Sequence, residues 1–209
     1  MQVISVSNSV QELCEKLTTV AVLNFFDSIE VSSETMSCIK DGNTVFRYVK
    51  SGGIVYCKFF NNEPECTLYR SVTQNDCVSL IVATEKSIYL RNWLGNGTGI
   101  LIAKDTEGNL IFVSKKTAGQ SQLSPFTAGD NSVIIFREGG NTERIYYMND
   151  DEALKKSYFV PLLVDGGVFA DDVYLGLVRP YPSDTAYIDF TLNNTEYVGF
   201  SGTSLIVKA

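Results

Sequence analysis

The 209-residue chain contains no histidine. That single absence removes Ser-His-Asp and Cys-His nucleophile arrangements, histidine metal ligands and imidazole general bases together. Carboxylates, lysine and tyrosine remain as catalytic groups. The expectation is therefore a protein that is not an enzyme and has no cofactor, with a carboxylate-based hydrolase as the least favoured reading. Cysteine is scarce too: Cys14, Cys38, Cys57, Cys66 and Cys77, an odd number with no C-x-x-C spacing. That pattern fits neither a disulfide framework nor a zinc site. Reduced, mostly buried thiols in a reducing cytosol are expected.

Long apolar runs are missing as well. None approaches the roughly 18 residues that a membrane helix needs. The first residues, MQVISVSNSVQELCEKL, lack a basic segment followed by an uninterrupted apolar one, so no signal peptide is expected. Basic charge is in short supply: 17 Lys and Arg against 24 Asp and Glu give a net charge of −7. That balance disfavours direct nucleic-acid binding, which needs a basic face to displace counterions. It equally disfavours an anionic membrane surface. The longest basic runs, Lys115-Lys116 and Lys155-Lys156, read as solvated turns.

What remains is a chain with 44% hydrophobic and 20% charged residues, enough apolar surface to build a sizeable core. Ser9, with Glu12 three residues on, has the spacing of a capping box. Val10, Leu13, Cys14, Leu17, Val20 and Ala21 then recur at helical spacing. The pattern predicts a helix over about residues 9–26, packed on the protein's own sheet. Short stretches rich in β-branched and aromatic residues follow, among them TMSCIK, TVFRYV, GIVYCKFF, CVSLIVAT, GILIAK and NLIFVSK. KDGN (40–43), DTEGN (105–109) and EGGN (138–141) read as hairpin turns. A second short helix is expected in DDEALKKS, 150–157. The fold class expected is mainly β with one N-terminal helix (α+β), its antiparallel hairpins forming a sandwich- or barrel-like sheet system. Residues 1–116 carry the helix and hairpins, 117–131 read as a loop or a boundary, and 132–209 form a C-terminal β region. One compact unit is the expectation.

Each candidate site in the sequence has a structural explanation beside the functional one. WLGNGTGILIAK holds Gly95, Gly97 and Gly99 but precedes a strand rather than a helix. A phosphate loop needs the N–H groups of a following helix, so these glycines read as a loop between strands. Asp150, Asp151 and Glu152, and then Asp171 and Asp172, lack the alternating spacing that converges oxygens on a cation. The first group reads as a helix start, the second as a turn. Of the many aromatics, Trp93 beside the glycines and Tyr181 between two prolines are the candidate surface contacts. No catalytic, cofactor-binding or metal residue is assigned.

The closing segment carries a resemblance. SYFVPLLVDGGVFADDVYLGLVRPY, followed by FTLNNTEYVGFSG from Phe190 to Gly202, resembles the end of small β-rich structural proteins of tailed bacteriophages of gut Firmicutes and related bacteria. The N-terminal LNFFDSIEVSSETMSCIKDGNTVFRYV is of the same style. One departure is Asn193-Asn194, where such chains often have Asn-Gly before the tyrosine. The resemblance implies a virion protein, made and assembled in the bacterial cytoplasm and placed on the tail, the baseplate or the capsid surface. It implies contacts with other phage structural proteins in an oligomer or multi-copy assembly. The alternative is a carbohydrate- or host-receptor-binding β module, with Trp93 and exposed tyrosines stacking on a host glycan.

Overall fold

The computed structural model describes residues 1–6, 9–21, 25–51, 54–60, 62–70, 78–92, 99–115, 132–137, 143–146, 160–164, 168–175, 187–200 and 205–209. Strand β1 (Gln2–Ser5) leads into helix α1 (Val10–Ala21). Next, β2 (Ser28–Ser32), β3 (Thr35–Lys40), β4 (Asn43–Ser51), β5 (Ile54–Phe59) and β6 (Asn62–Arg70) form a five-stranded antiparallel meander, the helix-side sheet. β7 (Val78–Ala83) then returns to pair with β1. β8 (Ile88–Asn92), β9 (Gly99–Lys104), β10 (Leu110–Lys115), β11 (Ser132–Arg137) and β12 (Glu143–Tyr146) extend that pair into a seven-stranded central sheet. The outer sheet holds β13 (Val160–Val164), β14 (Val168–Leu175), β15 (Tyr187–Leu192), β16 (Thr195–Phe200) and β17 (Leu205–Lys208). Its order is β13-β14-β17-β16-β15, so the last strand inserts between two earlier ones.

The fold is mainly β with one helix among the described residues, as the sequence predicts. Every strand pairing is antiparallel, and the three sheets are open stacks rather than a closed barrel. Of the two architectures expected, the structure takes the sandwich-like one.

The central sheet is buried on both faces, and strand parity sorts its side chains. In β9, Ile100 and Ile102 join the core shared with α1 and the helix-side sheet, while Leu101 and Ala103 join the core shared with the outer sheet. In β10, Leu110 and Phe112 take the first face, Ile111 and Val113 the second. A strand covered on both sides reads as an unbroken apolar run, hence ILIA and LIFV. Phe112 stacks against Phe46 at 5.4 Å and meets Phe59 at 4.9 Å, tying the central sheet to β4 and β5. Tyr48 adds a polar tie, its hydroxyl accepting the Val78 N–H at 3.2 Å. On the other face Tyr89 stacks on Phe200 with centroids 4.1 Å apart.

Helix α1 starts as its cap requires, the Glu12 N–H donating to Ser9 Oγ at 3.3 Å. Val10, Leu13, Cys14 and Leu17 are buried and Val20 packs against the same core. The helix is shorter than the 9–26 expected. β-Branched residues crowd its last turn (Thr18, Thr19, Val20), no basic side chain complements its dipole there, and Phe25 and Phe26 leave helical geometry to enter the core. The Asp27 N–H already donates to the Ile39 carbonyl, so the sheet begins at once.

Two turns form as their residues suggest. Asp41 and Gly42 have positive φ in KDGN, and Asn193 and Asn194 sit at φ 50° and 62° between β15 and β16. The second pair is the geometry of a two-residue hairpin turn, which asparagine tolerates without glycine. Prolines within strands occupy outermost ones, Pro64 in β6 and Pro161 in β13, where a missing donor breaks no ladder. The strands flanking residues 117–131, β10 and β11, are neighbours in one ladder.

Leu13 and Leu17 are fully buried. Leu13→Ala and Leu17→Ala should each cost roughly 2–5 kcal/mol, read as a drop in urea midpoint at unchanged slope. Unchanged midpoints for both would mean that this stripe does not face the core.

Candidate functional site

Two turns at one end of the central sheet grip a bulge in the outer sheet, and among the described residues polar contacts between these two sheets gather there. The β9–β10 turn, DTEGN, is organised by Asp105. Its carboxylate accepts the Glu107 N–H at 3.0 Å, the Asn109 N–H at 2.8 Å and the Asn109 side-chain amide at 2.9 Å. Gly108 takes φ 88°, a conformation that a side chain would strain, and donates to the Asp105 carbonyl. Asp105 is almost wholly buried, and its three donors compensate the charge.

The bulge lies in β14. Leu163 pairs with Phe169 and Pro161 with Tyr174, so residues 170–173 stand opposite Leu162 alone. The surplus backbone leans onto the turn: the Thr106 N–H donates to the Phe169 carbonyl at 2.8 Å, and Asp105 bridges Ala170. Asp172, at φ 56°, supplies the left-handed residue that lets the strand depart from and rejoin its ladder. Lys86, on the β7–β8 turn, reaches across to Asp172 at 2.5 Å and Asp171 at 3.2 Å. Lys208 stands 4.0 Å from Asp172, and the Tyr174 hydroxyl donates to Asp172 at 3.5 Å. The Asp172 and Asp171 hydrogen bonds raise the Lys86 pKa. Burial, then the Asp172 charge, raises that of Tyr174. Asp171 and Asp172 thus lie within a strand rather than in the expected turn, because the bulge absorbs the residues a turn would have used. Their charges are matched by lysine, and no cluster of three or more metal-ligating side chains occurs among the described residues.

Gly99 answers the question posed by the glycine-rich stretch. A Cβ there would overlap Tyr89 at its Oη, Cζ and Cε2 atoms. The ring cannot swing aside, being fully buried and stacked on Phe200. Gly99 is therefore the seat of a core tyrosine, which no phosphate-loop argument would reveal. Gly95 and Gly97 lie outside the described residues, as do both candidate surface contacts, Trp93 and Tyr181. So do Asp150, Asp151 and Glu152, the expected helix at 150–157 and the EGGN turn. Lys86, Tyr89 and Asp105 were missed as individual residues in the sequence. For Asp105 a signal existed, since Asp at the first position of a turn commonly folds its carboxylate onto the backbone ahead.

The thiols match the sequence reading where the structure describes them: Cys14, Cys38 and Cys57 are buried and carry no disulfide. Burial raises the Cys14 pKa and lifts that of Cys38 well above its ordinary value, so both stay protonated at neutral pH. No family model, curated protein or solved structure matches the chain.

Tyr89 generates a test of this packing. Its buried hydroxyl finds no hydrogen-bond partner among the described residues, and burial raises its pKa far above the usual tyrosine value. A folded-state pKa above the unfolded one, about 10, means that the stability from keeping the phenol protonated is fully present below about pH 10. It is lost as pH climbs towards the folded value. Tyr89→Phe removes an unsatisfied polar group and should raise stability by about 1 kcal/mol at pH 7. The variant should also lose less stability than the parent between pH 9.5 and 11, on a scale of roughly 1 kcal/mol. Urea melts at both pH values check this, and a destabilised variant at pH 7 would show that the hydroxyl has a partner.

Proposed function

We propose that this protein is a structural component of a bacteriophage particle, associated with tail or baseplate or decorating the capsid, and that it acts through protein–protein contacts. One observation carries the reading: among the described residues, three of the five exposed large apolar side chains lie on outermost strands. Val3 (41% exposed) is on β1, Leu163 (47%) on β13 and Leu192 (45%) on β15, each an outermost strand among the described residues. Phe169 (45%) pairs with Leu163, and Met1 (52%) precedes β1. Soluble proteins usually blunt such margins with charge, since an unpaired ladder edge invites another chain. Apolar side chains on several margins favour lateral association, and many copies would gain strength from repetition rather than from tight single contacts. The phage-like closing segment, FTLNNTEYVGFSG, supports the same reading and names the setting.

The test combines particle analysis with charge substitution at a margin. Val3→Lys and Leu163→Lys should leave the circular-dichroism spectrum unchanged but reduce incorporation into purified particles at least tenfold, read by quantitative proteomics. Absence of the unmodified protein from every particle fraction would overturn the proposal. So would undiminished incorporation of both variants. Specific binding to a host glycan by protein found free of particles would favour the receptor-binding module instead.

A further inference from the structure

We propose that Cys57 and Cys66 form a redox-closable clasp that fastens the outermost strand of the helix-side sheet. Cys57 stands directly opposite Cys66 in the β5–β6 ladder. Opposed residues of an antiparallel pair have Cα atoms about 4.5 or about 5.5 Å apart, depending on the hydrogen-bonding position. Both separations fall within the range of about 4.4–6.8 Å that a disulfide spans. The ladder is irregular on both sides of this pair, between Val55 and Tyr56 and between Cys57 and Phe59, so the local backbone is not held by an unbroken ladder. β6 is the margin of its sheet and contains Pro64, which lacks a donor N–H. Here a covalent link would fasten a strand that has a neighbour on one side only.

No other described cysteine is opposed by a cysteine in a strand ladder, although Cys14 and Cys38 lie near enough for the charge of Cys14 to raise the Cys38 pKa. Cys38 is opposed by Ile29 and Phe46, and Cys14 lies on α1. Both also have raised pKa values, which slows attack on a disulfide. The chemistry needs an external oxidant, a low-molecular-weight disulfide such as oxidised glutathione. One cysteine, as thiolate, attacks that disulfide, forming a mixed disulfide and releasing one glutathione thiolate. The second cysteine, deprotonated, attacks the protein-side sulfur of the mixed disulfide and releases the other. Two protein thiols lose two electrons and two protons, one disulfide forms, and two glutathione thiols leave. Cys57 is fully buried, so closure follows fraying of β6, and the product then holds the strand down.

The test uses the folded full-length protein, incubated with oxidised glutathione, alkylated and digested with trypsin. Cleavage after Lys50, Lys58 and Arg70 isolates Cys57 in residues 51–58 and Cys66 in residues 59–70. The expected product is these two peptides joined, two hydrogens lighter than their sum, while Cys14 and Cys38 remain alkylatable on unfolding. Melting temperature should rise on oxidation and return on reduction. Cys66→Ser should abolish both the crosslink and the rise; the mass analysis of the unsubstituted protein stands even where that variant folds poorly. Crosslinking of Cys66 to another cysteine, or a persistent glutathione adduct on Cys66 with the Cys57 thiol intact, would overturn the clasp.

Discussion

Burial of β9 and β10 on both faces is the constraint on which the rest of this structure depends. Side chains alternate across a strand, so a central strand serving two cores needs apolar residues at every position. Ile100 and Ile102 face one core, Leu101 and Ala103 the other. A shift of one residue in pairing would exchange both sets at once, placing residues shaped for one neighbour against the other. Register is therefore over-determined in the central sheet, and the two flanking layers inherit their positions from it. Phe112 with Phe46 and Phe59 sets the helix-side sheet, and Tyr89 with Phe200 sets the outer one. Gly99 belongs to the same constraint, because only a residue without Cβ admits the Tyr89 ring.

Among the described residues, polar contacts between the central and outer sheets gather at one end. There the Asp105 carboxylate holds its own turn rigid, and that turn in turn carries the β14 bulge through Thr106 and Ala170. Lys86 closes the same contact from the neighbouring turn. Such exposed ion pairs contribute little to stability by themselves, since solvent screens them. Their value lies in orientation: the buried carboxylate and the backbone hydrogen bonds fix which part of the outer sheet faces which turn. Val3, Leu163 and Leu192 instead expose apolar surface on three outermost strands, and this contrast between a polar end and apolar edges underlies the assembly role proposed above.

Much of this was legible in the sequence, for reasons that can be named. TMSCIK, GILIAK and the KDGN turn carry local signals strong enough to stand alone, namely β-branched content and a residue tolerant of positive φ. The α1 stripe was readable because Leu13, Cys14 and Leu17 repeat at helical spacing. Its C-terminal end was not, since Phe25 and Phe26 continue an apolar pattern while serving the core from outside the helix. β1 and β2 have little local signal: QVIS and SIEVS are short and owe their strand geometry to partners distant in sequence or just beyond a turn. Three-layer stacking was hinted at by the unalternating runs ILIA and LIFV, but periodicity alone does not distinguish a doubly covered strand from a buried helix segment. Of the polar seam, the sequence shows the DTEGN turn and the Asp171-Asp172 pair but not their meeting. Lys86 and Asp105 are ordinary turn residues until the fold brings β14 to them.

Native-state hydrogen exchange tests the central claim most directly. If the doubly covered strands are the frame for both flanking layers, amides of residues 100–103 and 110–113 should exchange slowest in the molecule, at a rate set by global unfolding. Amides of the helix-side and outer sheets should open earlier or together with them, never later. Slowest exchange in either flanking sheet, with β9 and β10 exchanging faster, would contradict the account.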